Sequence, residues 1–248
     1  MLNNNFSIGV VGLGTVGTAT IKLIEKEIES INRKAGKKII IKAISSKNYS
    51  KKRDIDITKY EWEGNPEKLA MRDDIDAVVE LIGGSDGIAK TLAYSTIQHK
   101  KHLITANKAL IAKHGYDLHK SILDTSISIY YEAAVAGAIP IIDSVKNGLV
   151  SNNILGIEAI LNGTCNYIMS DMTNNETSFQ ESLRKAQELG FAEADPAFDI
   201  EGIDSGHKLV ILGMLAYGVK PDLDKVFIEG ITSITSEDIK YATRLGFV

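Results

Sequence analysis

The densest chemistry in the sequence is the segment GFAEADPAFDIEGIDSGHK, where Glu193, Asp195, Asp199, Glu201 and Asp204 precede His207 and Lys208. Carboxylates crowded so closely need a cationic partner or ligand. Asp204 and Lys208 are four residues apart, so a helix starting near Gly202 puts both on one face within ion-pair reach. On spacing alone this is an ordinary surface pair. The run that follows, LVILGMLAYGV, is apolar, which makes this a core helix and moves its first turn to the edge of a buried cleft. A lysine placed there can stabilise charge developing on an oxygen and deliver a proton, while carboxylates receive an ammonium group. His207 is the competing acid, but it lies about 100° around the helix from Lys208 and reads as structural.

A second motif stands near the N-terminus. Ile8 to Val11 run into Gly12, Leu13, Gly14, Thr15, Val16 and Gly17, a G-x-G-x-x-G between a strand-like run and an amphipathic stretch. In that setting Gly12 permits a tight turn, Gly14 lets backbone approach a pyrophosphate, and Gly17 lets helix and strand pack closely, with the helix N-terminus facing the anion. Gly12, Gly14, Thr15, Val16 and Gly17 are thus the candidate cofactor-binding residues. The bland alternative is a glycine-rich turn with no ligand. Cofactor preference is written at the end of the second strand, where an acid accepts from the adenosine ribose and a base favours a 2′-phosphate. IIIKAISS ends in Ser45, Ser46 and Lys47, with Lys51, Lys52 and Arg53 just beyond, while Asp54 and Asp56 lie too far along. NADP is the expected cofactor and NAD stays open, since these basic residues also read as a solvated loop face.

The elements that must position these groups alternate between short apolar runs and stretches of helical period, the pattern of βαβ units and a parallel sheet. Phe6 to Val11, Lys38 to Ile44, Asp76 to Ile82, His102 to Thr105 and Ile127 to Tyr131 read as strands covered on both faces. Thr15 to Asn32, Ile88 to Lys100 and Leu110 to Leu123 read as the helices between them. After Tyr131 the rhythm changes to the small, glycine-rich EAAVAGAIPII and a helix-like stretch to Leu149. A second unit is expected from about residue 135, with strands at Ile154 to Leu161 and Phe227 to Ile234. Its helices are expected at Phe179 to Leu189, Ile203 to Tyr217 and, capped by Ser236, to Leu245. NGTCNYI reads as a turn in which Asn162 and Thr164 cap a helix while lining the cleft.

Composition excludes several classes. The chain has 248 residues and one cysteine, Cys165, so no intrachain disulfide exists, which fits a reducing compartment. Its 28 Lys+Arg against 32 Asp+Glu give a net charge of -4, no global reason to expect nucleic acid or an anionic membrane as partner. The apolar run from Leu209 to Val219 is about half of the roughly 20 residues a membrane span needs. The first basic residue is Lys22, and without a basic n-region a secretory signal is not expected, so the chain reads as cytoplasmic. His102, His114 and His119 lack paired ligand spacing, which argues against a transition metal. Cys165 has no base near it in sequence and is a poor nucleophile candidate.

GLGTVG, TANK at 105 to 108, EAAVAGAIP at 132 to 140, NGTCNYI at 162 to 168 and GFAEADPAFDIEGIDSGHK occur in this order along the whole chain. The set resembles the homoserine dehydrogenase family. The resemblance implies a fold of the α/β class, a Rossmann-like dinucleotide-binding domain over 1–134 followed by an α/β catalytic domain over 135–248. It implies reduction of aspartate 4-semialdehyde to homoserine on the route to threonine and methionine. By the same resemblance Lys208 is the proton donor, and Glu193 and Asp204 bind the amino-acid substrate. Asp199 is a further acid of its pocket, Lys108 a second lysine at the cofactor and substrate boundary, and Gly190 lies against the nicotinamide side. A sodium site built from backbone carbonyls near Glu132, Val135, Gly137 and Ile139 is implied too, hard donors that suit an alkali ion; without the resemblance that segment reads as a tight crossover. Family members continue past residue 248 and form dimers through the later part, so a chain truncated at its C-terminus is expected. Another Rossmann-type amino-acid dehydrogenase and a non-catalytic dinucleotide-binding protein remain as alternatives.

Overall fold

The computed structural model describes residues 4–247. They form two compact units that part between Val150 and Ser151. The first is built on a six-stranded sheet in the order β3-β2-β1-β4-β5-β6, parallel at every pairing. Along the chain it runs β1 (Asn5–Val11), α1 (Thr15–Ala35), β2 (Lys38–Ser45), β3 (Glu61–Trp62), α2 (Pro66–Met71), β4 (Ala77–Glu80), α3 (Ile88–Gln98), β5 (His102–Thr105), α4 (Lys108–Lys120), β6 (Ile129–Tyr130) and the short α5 (Ile141–Asp143). Strand order reverses between β1 and β4, the crevice where open α/β sheets take their ligands.

The central strands are apolar because helices cover both their faces. Ile8, Val10, Ile44, Ala77 and Val79 share one core cluster with Ile21 of α1, and Val11, Ala43 and Val78 share another with Leu69 of α2 and Leu92 of α3. Helix α1 ends on Gly36, whose φ of 64° is the left-handed cap that favours glycine. Two elements escaped the sequence reading: β3, only two residues long, and α2, six residues capped by Asn65 with Pro66 at its first position. The stretch from 135 to 150 packs with the first unit, so the compact boundary falls later than residue 134. Val135 and Ile142 are buried, and the Glu132 carboxylate accepts from Ile142 N (2.9 Å) and Asp143 N (3.0 Å).

Among the described residues the second unit contains helices and no strand: α6 (Gly163–Asn175), α7 (Phe179–Glu188), α8 (Ala197–Ile200), α9 (Ile203–Tyr217) and α10 (Ser236–Arg244). The strands expected at 154–161 and 227–234 have no ladder. Strand structure exists only in pairs, and here Leu155, Ile160 and Phe227 are 89%, 79% and 86% exposed instead of lying on a covered face. The core joins Ile168 and Met172 of α6 to Phe179 and Ala186 of α7, Ala192 and Ile200. Buried Asp171 ties α6 to α7 by accepting from Ser182 Oγ at 2.7 Å, and that bond, with those from Asn175 and Thr177, holds its carboxyl down at about 2. Thr235, not Ser236, caps α10, in a reciprocal box with Asp238. No helix among the described residues is long and apolar enough to cross a membrane.

Candidate functional site

The glycine turn sits at the reversal point. Gly12 has φ 98°, and a Cβ there would run into the Leu81 carbonyl, at 2.5 Å from its carbon and 2.9 Å from Ile82 N. A Cβ on Gly17 would strike the Gly12 carbonyl oxygen, whereas one on Gly14 would enter open space. Gly14 is the N-cap of α1, with no side-chain capping bond, and the first turn has no acidic residue. A helix N-terminus of that kind, with Thr15 and Val16 exposed on its first turn, is built for an anion. At the carboxyl end of β2, Ser45 Oγ is buried with no hydrogen-bond partner among the described residues. Glycine cradle, bare helix end and orphaned hydroxyl together fit a dinucleotide.

Beside Ser45 the loop 46–53 is gathered around Arg53. Its guanidinium donates to Ser46 Oγ (3.2 Å) and to the carbonyls of Leu13 (3.4 Å), Asn48 (2.5 Å), Tyr49 (3.2 Å) and Lys51 (2.8 Å), and lies 5.7 Å from the Trp62 ring centre. Asp54 pairs with Lys22 instead, and Asp56 caps the 3₁₀ turn at Ile57–Lys59 by accepting from Thr58 N at 3.1 Å. Neither of these acids therefore stands at the end of β2; Glu63 comes beside it, its N–H donating to the Ile44 carbonyl at 2.9 Å while its carboxylate accepts from Asn65 N at 3.0 Å.

Lys108 opens α4, whose N-cap is Asn107, accepting from Leu110 N at 3.1 Å. In the segment after β6, Ala136 and Ala138 carry φ of 49° and 71°, a strained left-handed backbone in residues other than glycine. The Ile139 carbonyl accepts from Ile141 N at 2.8 Å. Among the described residues no group of three or more His, Cys, Asp or Glu side chains could hold a metal ion. His102 Nδ1 accepts from Ser128 N, His114 faces Asp86 at 3.1 Å, and His119 faces Tyr131.

In the second unit the acidic segment and α9 build a polar knot. Asp204 is 2% exposed, and Lys208 Nζ donates to its Oδ2 at 2.7 Å and to the Leu161 carbonyl at 2.7 Å. The Lys208 side chain is 18% exposed, so this is not the surface pair that spacing alone allows. Asn162, expected as a helix cap that lines the cleft, also joins two acids. Its Oδ1 caps α6 through Cys165 N, while its Nδ2 donates to Asp199 Oδ1 and Asp204 Oδ2, both at 2.8 Å. Thr164 Oγ1 donates to the Phe191 carbonyl (2.7 Å) and reaches Asp199 Oδ2 at 3.2 Å. Asp199, Asp204 and Lys208 are thus brought into one network. Glu193 is exposed, and no hydrogen bond or ion pair joins its carboxylate to that network among the described residues; Gly190, with φ 78°, closes α7 and is also exposed. The His207 ring packs edge-on to Phe198 at 5.4 Å. Burial pushes the Cys165 thiol up to about 11, helped by the charges of Asp199 and Asp204.

A parallel sheet with a glycine turn at its strand-order reversal, leading into an uncapped helix, defines a Rossmann-type dinucleotide-binding protein. The NAD-binding domain of homoserine dehydrogenase matches residues 12–132, and the homoserine dehydrogenase domain proper matches residues 140–248. The chain belongs to the homoserine dehydrogenase family. It is 42% identical to the homoserine dehydrogenase of Neisseria gonorrhoeae over 97% of this chain and 55% of that one. Among solved structures, the homoserine dehydrogenase of Thiobacillus denitrificans superposes with a TM-score of 0.88 at 40% identity, covering 98% of this chain and 56% of that one. An Archaeoglobus fulgidus structure provisionally described as a homoserine dehydrogenase gives 0.87 at 30% identity, covering 97% and 77%. The chain spans about half the length of the curated relatives it matches.

Proposed function

We propose that this chain carries the chemistry of NADP-linked interconversion of L-aspartate 4-semialdehyde and L-homoserine in the cytoplasm, on the route to threonine and methionine. The observation that carries the reading is Lys208, held by Asp204 and the Leu161 carbonyl at the edge of a buried network. A lysine head has three N–H donors. Two are directed at those partners, which leaves the third for an oxygen on which negative charge develops. When bound, the nicotinamide supplies the hydride; this chain's residues orient the aldehyde and provide the proton. Asp204 and Glu193 are assigned to the substrate's ammonium group, Asp199 to the same pocket as a further acid, and Lys108 to the substrate's carboxylate or to the reacting oxygen.

Preference for NADP is supported by Ser46 and exposed Lys47, in place of an acid, directly after β2 in sequence, and by the positive charge of Arg53 beside Ser46. Gly12, Gly14, Thr15, Val16 and Gly17 are assigned to the pyrophosphate and Gly190 to the nicotinamide side. The carbonyls of Glu132, Val135, Gly137 and Ile139 are assigned to a sodium ion, supported by the strained backbone at Ala136 and Ala138 in their midst. Where the later part of the family's chain is present, the other partner is a second copy, a reading supported by the apolar area at Leu155, Ile160 and Phe227.

The test is oxidation of NADPH in the presence of aspartate semialdehyde, run on the wild type and on Lys208→Ala, with NADH in parallel. Turnover falls by about 10²–10⁴ in the variant while NADPH binding is retained. Equal turnover in both proteins removes Lys208 from the chemistry; cofactor binding with no wild-type turnover removes the proposed activity.

A further inference from the structure

Glu80, the last residue of β4, is completely buried, and no role assigned above uses it. A carboxylate in such a place is costly unless hydrogen bonds satisfy it. Here they do, and their direction is informative. Oε1 accepts from Ile82 N at 2.7 Å and Gly83 N at 3.4 Å, and Oε2 accepts from Thr105 Oγ1 at 2.6 Å. Thr105 Oγ1 in turn accepts from Asn107 N at 2.9 Å. Asn107 closes the circuit, donating from Nδ2 to the Gly84 carbonyl at 2.7 Å while its Oδ1 caps α4. The chain from Leu81 to Gly84, with φ of 88° at Gly83 and 82° at Gly84, is therefore latched to the helix that begins at Lys108.

We propose that Glu80 is a positioning residue: through Thr105 and Asn107 it sets the loop 81–84 against the phosphate turn and fixes that loop to the start of α4. The proposal rests on the dinucleotide reading above. Leu81 and Ile82 present the backbone against which Gly12 packs. In this fold the adenosine ribose lies over the end of β2 and the pyrophosphate at α1, so the other half of the cofactor extends over β4. Because Glu80 takes the N–H groups of Ile82 and Gly83, they are turned away from the ligand. What remains for a nicotinamide ring is the half-exposed Ile82 side chain and the glycine backbone.

The experiment is calorimetric titration of NADPH and, separately, of adenosine 2′,5′-bisphosphate into the wild type, Thr105→Val, Glu80→Ala and Glu80→Gln. Thr105→Val keeps the shape and backbone bonds of β5 and cuts the circuit, so it tests the idea even where Glu80→Ala does not fold. NADPH affinity falls at least tenfold in Thr105→Val with the bisphosphate within twofold of wild type, and Glu80→Gln, which still accepts from Ile82 N, lies between wild type and Glu80→Ala. Parallel loss of both ligands, or no loss of either, overturns the positioning role. A wild type that binds neither ligand overturns the dinucleotide reading itself, and this inference with it.

Discussion

Asn162 Nδ2 donates to Asp204 Oδ2 at 2.8 Å, and the same carboxylate oxygen receives Lys208 Nζ at 2.7 Å. One amide thus holds the acid that holds the lysine, while its oxygen caps α6. Asn162→Ala removes a cap worth about 1 kcal/mol and leaves Asp199 and Asp204 without their shared donor, a further loss of about 1–3 kcal/mol. Asn162→Ser restores the cap and is too short to reach both carboxylates. Urea unfolding should place the serine variant about 1 kcal/mol above the alanine variant and both below wild type; identical midpoints for all three would show that the amide contributes to neither.

The three glycines of the phosphate turn separate stability from binding. A methyl on Gly17 meets the Gly12 carbonyl oxygen, and Gly17→Ala should lower stability by about 1–3 kcal/mol. Gly14 has an ordinary φ of -81° and open space around it, so Gly14→Ala should lose only the N-cap preference of glycine over alanine, about 0.5–1 kcal/mol, yet bind NADPH at least tenfold more weakly, its methyl standing where a phosphate must approach. Full affinity in Gly14→Ala would move the anion site elsewhere.

Cys165 should be inert. With its thiol raised to about 11, the thiolate fraction at pH 8 is roughly a hundredfold below that of an ordinary cysteine. Iodoacetamide should therefore label the folded protein about a hundred times more slowly than the urea-unfolded chain, as mass spectrometry can follow. Equal rates would mean that this part of the knot opens freely.

His119 Nε2 and the Tyr131 hydroxyl lie 2.8 Å apart, joining α4 to the end of the sheet. Burial, with a smaller contribution from Lys146, lowers the imidazole to about 4. A base whose folded value lies below its unfolded value near 6.5 leaves the unfolded chain holding more protons between the two. Its contribution is complete above pH 6.5 and is lost as pH falls towards 4, on the order of 2–3 kcal/mol. Unfolding free energies measured from pH 7.5 to 4.5 should show that slope in the wild type and a shallower one in His119→Leu; parallel curves would exclude His119 as its source.

What could be read from the sequence is what physics writes locally. Val10 and Val78 sit on stretches of strand buried on both faces, so their neighbours are small or apolar and the runs stand out. The G-x-G-x-x-G and the Asp204/Lys208 spacing are contained within a turn or two of chain. The strand Glu61–Trp62 is too short to have a period. Residues 154–161 have a strand's composition, but composition does not say whether a partner pairs with it. The bonds that join Asn162 to Asp204 across 42 residues and Thr105 to Glu80 across 25 leave no periodic trace. Asn162 is legible as a cap lining the cleft but not as the link between two acids, and Glu80 is not legible as a site residue at all, for that reason.

The sheet order bears on how the molecule is made. Strand Asn5–Val11 is synthesised before the other strands of its sheet, yet one neighbour is Lys38–Ser45 and the other Ala77–Glu80. After the first pairing, about 35 more residues must be synthesised before the second edge can close, roughly 2–7 s at 5–20 residues per second. Through that interval an apolar strand stands with one side unpaired, and Ser7 N waits for the Asp76 carboxylate that will accept from it across 69 residues. Nascent chains stalled just short of Glu80 are the species of this protein most exposed to edge-to-edge association.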